Sequence, residues 1–564
     1  MKNIKSEGPT LSCEAEGSSM SDHYLGQVGT PLTRSESPAR QHMSSAREPG
    51  GLQLALPGLE PGEHAGKARK GGRPVRRLEE SDGPIVPEKP ANKAEAAESV
   101  EERGPVTGNV AQGNPHRTQG RIIGGTTGLR RLRVRSGKLE AKKKLTSLFT
   151  HLRVDLFEAV YQRLKKNAAP GVDGVTWAEY GVNLVERLTD LQDRLHRGAY
   201  RPPAVRRTWI PKADGTRRPL GIPTVEDKVV QGAVVALLTP IYEAKFVENS
   251  YGFRPGRNQH QALDAVEGMM YRGYVNWVFD VDISRYFDSI SHEWLVKMLE
   301  HLIGDRRLVR LVQRWLKAGV IEAGEWMASE VGSPQGGCVS PLLANIYLHY
   351  VMDVWFEQER RQMRGKAHMV RFADDVVFGF QHRDEAKLFE QRLAERLAKF
   401  GLQLHPDKTR LIRFGQFAHL SSVKDGRRKP ETFTFLGFTH ICARSQNTGK
   451  FRLLRRTAGK KVQRKLAEVK QLMRLRMHWR LADQWSWLCS VLRGHYNYYG
   501  LPGNFRALKS FFRRVWYHWH KVLQRRSQRA KMTRSKLEKL DRRYPLTRPR
   551  ILRRQGVLRI APQT

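Results

Sequence analysis

His368-Met-Val-Arg-Phe-Ala-Asp-Asp-Val-Val-Phe-Gly-Phe380 decides how the rest of the chain is read. Two adjacent carboxylates, Asp374 and Asp375, stand between two apolar runs rich in β-branched and aromatic residues. That pattern predicts a tight β-hairpin with the acids at its tip. Acids side by side repel, and burying them without a partner is costly. A hard divalent cation resolves the conflict, because it binds carboxylate oxygen. An isolated Asp-Asp is more often a solvated turn; a matching third acid upstream shifts the balance.

That acid lies in Val275-Asn-Trp-Val-Phe-Asp-Val-Asp-Ile-Ser-Arg-Tyr-Phe-Asp288. Trp277, Phe279, Val281 and Ile283 alternate onto one face of a predicted strand, so Asp280 and Asp282 point to the other. Packing alone does not explain carboxylates on a buried strand. Beside the Asp374–Asp375 hairpin, Asp282 would complete a site for two Mg²⁺ ions about 3.5–4 Å apart. Such a pair activates a primer 3′-hydroxyl and stabilises departing pyrophosphate, which is polymerase chemistry.

On these two strings the chain resembles the group II intron-encoded proteins, reverse transcriptases with a maturase domain. Asp282-Ile-Ser-Arg-Tyr-Phe-Asp288 is similar to the first palm motif, and Phe372-Ala-Asp-Asp375 to the Tyr-X-Asp-Asp box. Position 372 departs from the pattern: Phe keeps the ring of the usual Tyr and drops its hydroxyl. The resemblance implies an α+β fold, a right-hand polymerase of fingers and palm with a helical, basic thumb/maturase domain. It also implies catalysis by Asp282, Asp374 and Asp375 with two Mg²⁺ ions, on an RNA template carrying a DNA primer and with deoxynucleoside triphosphates.

The chain has 564 residues, 39% apolar, which is ample material for several domains. Its formal net charge is +43. A surplus of that size implies a polyanionic partner, with nucleic acid favoured over a membrane surface. The charge is uneven. Residues 1–120 carry 15 basic and 16 acidic residues, whereas residues 441–564 carry 33 basic and 4 acidic. Most of the grip on polyanion therefore lies in the last quarter. Four scattered cysteines, Cys13, Cys338, Cys442 and Cys489, predict a reducing compartment, no disulfide framework and no zinc site built from Cys pairs. No secretory apolar segment follows Met1, and the best apolar run, residues 232–241, is too short to span a bilayer. A cytoplasmic protein is expected.

Composition sets the boundaries. Residues 1–105 contain one aromatic, Tyr24, and many Gly, Pro, Ser and Glu, so they are expected to be mostly disordered. Residues 106–205 are read as an N-terminal extension and the start of the fingers, with Leu152, Leu156, Val160 and Leu164 at helical spacing. Residues 206–440 are read as fingers and palm, 441–555 as thumb/maturase, and 556–564 as a tail.

Within the fingers, Thr208-Trp-Ile-Pro-Lys-Ala-Asp-Gly-Thr-Arg-Arg-Pro-Leu-Gly-Ile-Pro223 predicts a hairpin turning at Asp214-Gly215. By resemblance, Lys212 and Arg218 contact the incoming triphosphate, where cations offset phosphate charge. The family also carries strings close to Ala169-Pro-Gly-Val-Asp-Gly-Val-Thr-Trp177 and Ser250-Tyr-Gly-Phe-Arg-Pro-Gly-Arg257. In the second, Arg254 is expected to support template or nucleotide binding. Phe287 has two readings of equal weight: a core aromatic, or, by resemblance, a ring beneath the sugar that excludes a 2′-hydroxyl.

Ser291 is expected to cap a helix with Leu295, Leu299 and Leu302 on one face; a second carries Leu308, Leu311, Val312 and Trp315. Gly332-Ser-Pro-Gln-Gly-Gly-Cys-Val-Ser-Pro-Leu-Leu-Ala-Asn345 is the other strong family signature. In it Gln335 is implied to contact the templating pair, and Ser340-Pro341 to start a long apolar helix. Lys408, in Gly401-Leu-Gln-Leu-His-Pro-Asp-Lys-Thr409, matches the lysine proposed to protonate or neutralise departing pyrophosphate. The Phe433-Thr-Phe-Leu-Gly-Phe438 strand resembles the primer grip.

In the last quarter, Val462, Leu466, Val469 and Met473 make one apolar helix face among Lys461, Arg464, Lys465 and Arg474. Phe505, Leu508, Phe512, Val515 and Trp519 repeat the pattern. This charge density, with aromatics expected at the surface, suits RNA backbone and shape recognition by Arg464, Lys465, Arg525, Arg526 and Arg529. Gly494-His-Tyr-Asn-Tyr-Tyr-Gly500 and Arg525-Arg-Ser-Gln528 are similar to the thumb and maturase region of the family. The resemblance implies group II intron RNA and, in intron mobility, target DNA as partners. Many relatives end in an HNH-type endonuclease with Cys pairs; neither is seen here, so DNA cleavage in cis is not expected. Reverse transcriptases of other lineages (retron, diversity-generating, CRISPR-associated) are the alternative, and they generally lack a maturase-like domain. A splicing factor with a dead polymerase is disfavoured by intact Asp282, Asp374, Asp375, Gln335 and Lys408, and a viral RNA polymerase by the absence of Gly-Asp-Asp.

Overall fold

The alternation around Asp280 and the apolar runs flanking Asp374 build a single four-stranded antiparallel sheet, the frame of the acidic site. A computed structural model describes residues 144–211, 217–322, 325–327, 332, 336–424, 426, 429–527 and 533–552. The expectations for residues 1–105, 556–564, Lys212, Gln335 and Arg529 lie outside the described residues.

In chain order, α1 (Val154–Tyr161), α2 (Trp177–Tyr180) and α3 (Leu184–His196) precede β1 (Val205–Pro211) and β2 (Arg217–Ile222). Next come α4 (Val225–Glu243), α5 (Gln259–Arg272), β3 (Trp277–Val281), α6 (His292–Leu302) and α7 (Arg306–Lys317). Short strands β4 (Val320–Glu322) and β5 (Glu325–Met327) lead to α8 (Ser340–Leu348), a π-helical turn (His349–Asp353) and α9 (Val354–Gln362). The acidic hairpin is β6 (Ala367–Phe372) and β7 (Asp375–Phe380), followed by α10 (Arg383–Lys399), β8 (Arg410–Arg413) and α11 (Ala418–Lys424). Strands β9 (Thr432–Phe435), β10 (Phe438–Arg444) and β11 (Phe451–Thr457) precede α12 (Gly459–Leu475), α13 (Leu481–Tyr499), α14 (Phe505–Gln524) and α15 (Arg534–Arg543).

The central sheet has the order β6-β7-β3-β8; two others run β2-β1-β4-β5 and β11-β10-β9. Strand β7 pairs on both sides, and after Asp375 every residue of it is buried. This is why Val376-Val-Phe-Gly-Phe380 is apolar without alternation, as expected of a strand covered on both faces. Strand β3 divides its side chains between two cores. Phe279 and Val281, with Trp277 and Ile283 as the alternation predicts, join the larger core with Phe389, Leu393 and Leu397 of α10. Val278 joins the other with Leu263, Val266 and Met269 of α5.

Phe389 is the hub of the larger core beneath the sheet. Its ring lies 4.8 Å from Phe378, 5.2 Å from Phe380, 5.4 Å from Trp355 and 5.6 Å from Phe356. Truncation there removes both burial and ring contacts. Phe389→Ala is expected to cost about 3–5 kcal/mol of stability, read as a lower urea midpoint with an unchanged slope.

The helix expectations hold where caps and periodicity agreed. Ser291 Oγ accepts from Trp294 N–H at the start of α6, whose Leu295, Leu299 and Leu302 are buried. On α7, Leu308, Leu311, Val312 and Trp315 are buried. Leu466, Val469 and Met473 of α12 meet Leu508, Val515 and Trp519 of α14 in a third core. Two expectations change. Phe433–Phe438 is a hairpin rather than one strand: Leu436 and Gly437 take φ of +48° and +80° and turn β9 into β10. The C-terminal aromatics are in large part packing residues, not surface ones. Trp519, Phe511 and Tyr496 are buried, and the Tyr498 hydroxyl donates to Leu436 O at 2.8 Å. Trp479, Phe505 and Tyr517 are the exposed ones in this stretch. Among the described residues no helix is long and apolar enough to cross a membrane.

Candidate active site

The hairpin closes as its sequence predicts. Phe372 pairs with Asp375, leaving Ala373 and Asp374 as a two-residue turn with Ala373 at φ +58°. Strands β3 and β7 pair Val281 with Val376, so one further step of the register brings Asp282 alongside Asp375. All three acids of the sequence reading thus gather at one end of the sheet. A fourth joins them: Asp280 of β3, opposite Val377.

Electrostatics record this crowding. The Asp375 carboxyl is pushed up to about 7, first by the protein around it and then by Asp374, Asp282 and Asp280; Lys461, near the start of α12, opposes the shift. Solvent nonetheless reaches Asp375, so the like-charge share is the part a bound cation would reverse. Asp280 is pushed up to about 6 by burial, partly offset by Arg410 at 3.6 Å. Asp282 is met by Lys408, whose Nζ lies 2.8 Å from Oδ2. The lysine reaches it because residues 401–409 run alongside: His405 N–H donates to Asp282 O at 2.8 Å, and Ile283 bridges Leu404.

The donor chemistry fits a hard divalent cation, since the gathered groups are carboxylates that repel one another and attract an ammonium. The set is not closed around a point, however. Among the described residues no group of three or more His, Cys, Asp or Glu side chains is arranged to hold a metal ion. Lys408 on Asp282 supplies part of the positive charge that the acids call for.

The glycine-containing loops explain how this end of the sheet is framed. Ser250 bridges Arg371 in parallel, so the Ser250–Arg257 string lies against β6 beside the acidic turn. A Cβ on Gly252 would sit 2.2 Å from Ala373 N, so only glycine allows this approach. Arg254 corrects the reading. It is buried, its guanidinium donating to Glu243 and to the carbonyls of Val247 and Ser250, so it is turned into the protein rather than toward solvent. A Gly/Pro loop suggested an exposed arginine; in fact this one ties the loop together. The Phe253 ring lies 6.5 Å from Phe287, which is half-buried against the larger core and 5.3 Å from Tyr286.

Gly336, at φ +119°, abuts Gly221 of β2, where a Cβ would meet Gly221 O at 2.2 Å. The loop after it is held by a buried network absent from the sequence reading. Asp227 accepts from Tyr200, Trp315 and Gln231, and Gln231 Oε1 accepts from Val339 N–H at 3.3 Å. The available signal was Glu226-Asp227 at the start of the largely apolar α4 segment. Arg218 lies on β2 with its backbone opposite Ile210 of β1, and the turn expected at Asp214-Gly215 lies outside the described residues. Of the basic C-terminal residues, Arg464 and Arg525 are exposed, Lys465 pairs with Glu468 at 2.8 Å, and Arg526 donates to His478 O at 3.3 Å.

The comparisons agree with this geometry. Residues 210–440 match the reverse transcriptase (RNA-dependent DNA polymerase) family. The chain is 36% identical to Protein YkfC of Escherichia coli over 312 residues, 49% of this chain and 77% of that protein. It is 38% identical over 206 residues to the group II intron-encoded protein LtrA of Lactococcus lactis, covering 36% of this chain but 34% of that protein. A nuclear intron maturase of Arabidopsis thaliana is 32% identical over 95 residues, 17% of this chain and 13% of that protein. With its paired acids at the hairpin tip and Asp282 beside them, the chain belongs to the reverse transcriptase/maturase family of group II introns.

Proposed function

We propose that the chain copies RNA into DNA and also binds group II intron RNA to assist its splicing and mobility. One observation carries the polymerase reading: the register that places Asp282 beside Asp375, one residue from Asp374. In this reading the three aspartates hold two Mg²⁺ ions. Bound there, the ions would lower the pKa of a primer hydroxyl and offset charge on the transferring phosphoryl group.

The remaining roles belong to this chain's own side chains. Lys408, held at Asp282, stands ready to give a proton or positive charge to the departing pyrophosphate. Phe287, backed by Tyr286 and Phe253, offers a braced ring against which a 2′-hydroxyl would clash. Lys212, which follows β1 in sequence, and Arg218 of β2 neutralise the triphosphate, and Gln335 contacts the templating pair. Arg464, Lys465, Arg525, Arg526 and Arg529 hold intron RNA through its phosphates, supported by the basic excess of the last quarter. Target DNA enters as the acceptor during mobility.

The test is extension of a DNA primer on an RNA template by the purified chain with deoxynucleoside triphosphates. Extension is expected with Mg²⁺, lost on addition of EDTA, and restored by excess Mg²⁺. Extension that persists in EDTA, or none at any Mg²⁺ concentration, contradicts the reading.

A further inference from the structure

One buried charge remains unexplained by the roles above. Arg371 of β6 has no solvent exposure, and neither does its partner Asp353. Its guanidinium makes four hydrogen bonds. Nε and Nη2 donate to the two oxygens of Asp353 at 2.7 and 2.5 Å; Nη1 donates to Asn345 Oδ1 at 2.9 Å and to Ala373 O at 3.0 Å. Asn345 in turn donates to Gly252 O at 2.6 Å. The Arg371 backbone takes part too, receiving Tyr251 N–H and donating to Asn249 O.

These contacts converge on the acidic turn. Ala373, whose carbonyl Arg371 holds, is left-handed at φ +58°, a conformation costly for a residue with a Cβ. The next two residues are Asp374 and Asp375. Gly252, whose carbonyl Asn345 holds, is the residue packed against Ala373 N. On the far side Asp353 closes the π-helical turn His349–Asp353 within an otherwise α-helical segment, a feature that often marks a functional position. A buried ion pair is a weak means of gaining stability, because desolvation offsets much of the attraction and an apolar pair of similar volume often does as well. What such a pair does supply is direction, here a rigid fork aimed at one carbonyl.

We propose that Arg371, oriented by Asp353, is a positioning residue that locks the left-handed Ala373 turn and so sets where the Asp374 and Asp375 carboxylates point. Asn345 couples the same fork to the Ser250–Arg257 loop, so the acids and the loop that frames them are set together. The inference rests on the polymerase reading given above.

The experiment compares wild type, Arg371→Lys, the apolar double variant Arg371→Met/Asp353→Leu, and Asp374→Asn. Four quantities are measured: melting temperature, affinity for an RNA template–DNA primer without metal, single-turnover extension, and Mn²⁺ binding by electron paramagnetic resonance. For the double variant a melting temperature near wild type is expected, with unchanged template affinity. Its maximal extension rate should fall at least about a hundredfold at little-changed nucleotide KM, and its Mn²⁺ affinity about tenfold or more. Arg371→Lys, which keeps charge but loses the fork, should show the same split more mildly. Either variant extending within threefold of wild type, while Asp374→Asn is inactive, overturns the positioning role and leaves the polymerase reading intact. Loss of melting temperature, template affinity and activity together in both Arg371 variants also overturns it, by making the pair purely structural. An active Asp374→Asn would instead defeat the polymerase reading itself.

Discussion

Asp374→Asn is expected to slow RNA-templated primer extension by roughly a thousandfold or more, equivalent to about 4 kcal/mol of transition-state stabilisation. The substitution removes one negative charge from a potential metal ligand and leaves shape almost unchanged. Asp374 lies in the turn between β6 and β7 and is only partly buried, so no core contact is disturbed. Its charge is also one of three that push Asp375 upward. The variant should therefore fold as well as wild type, and the Asp375 carboxyl should move down toward the usual carboxylate range. Single-turnover extension at saturating Mg²⁺, with melting temperature measured in parallel, separates these effects. A variant that keeps a rate near wild type would remove the aspartates from the reaction.

The acidic hairpin was legible because two local rules agreed there: β-branched and aromatic runs on both sides, and a polar pair where the chain must turn. Strand β3 was legible for a similar reason, since its period of two separated Phe279 and Val281 from the acids. Residues whose environment is made by distant chain were harder. Arg371 reads as an ordinary polar position on a strand until Asp353, 18 residues earlier, is seen beneath it. The signal available was a pair of opposite charges, each embedded in an apolar run. Arg254 misled in the opposite direction, because glycine and proline around an arginine suggest solvent while Glu243 holds it inside. Phe433–Phe438 was misread because two strands joined by a two-residue turn present one unbroken, aromatic-rich run. Leu436 at φ +48° occupies a place where asparagine or glycine would have announced the turn.

The C-terminal helices bear the second prediction, and their packing makes it cleaner than the sequence did. Leu466, Val469 and Met473 of α12 and Leu508, Val515 and Trp519 of α14 spend their apolar faces on one another. Their basic positions are left for the outside, with Arg464 and Arg525 exposed and Arg526 partly so. Because Tyr496, Phe511 and Trp519 are buried there and other aromatic rings pack partly against the same core, recognition should rest more on phosphate contacts than on stacked bases. Replacing Arg464, Arg525 and Arg526 by Ala should then lower intron RNA affinity roughly a hundredfold near 0.1 M salt, and reduce the slope of log K against log salt by about 2–3. Splicing assistance should fall with affinity, because the arginines hold RNA and the RNA supplies its own transesterification chemistry. Short-primer extension should fall much less, since the aspartates are untouched. Asp374→Asn should give the inverse pattern, with binding and splicing retained and extension lost. A triple variant that binds intron RNA with an unchanged salt slope and splices normally would reduce these helices to basic packing elements of a polymerase. The maturase assignment would then rest on similarity alone.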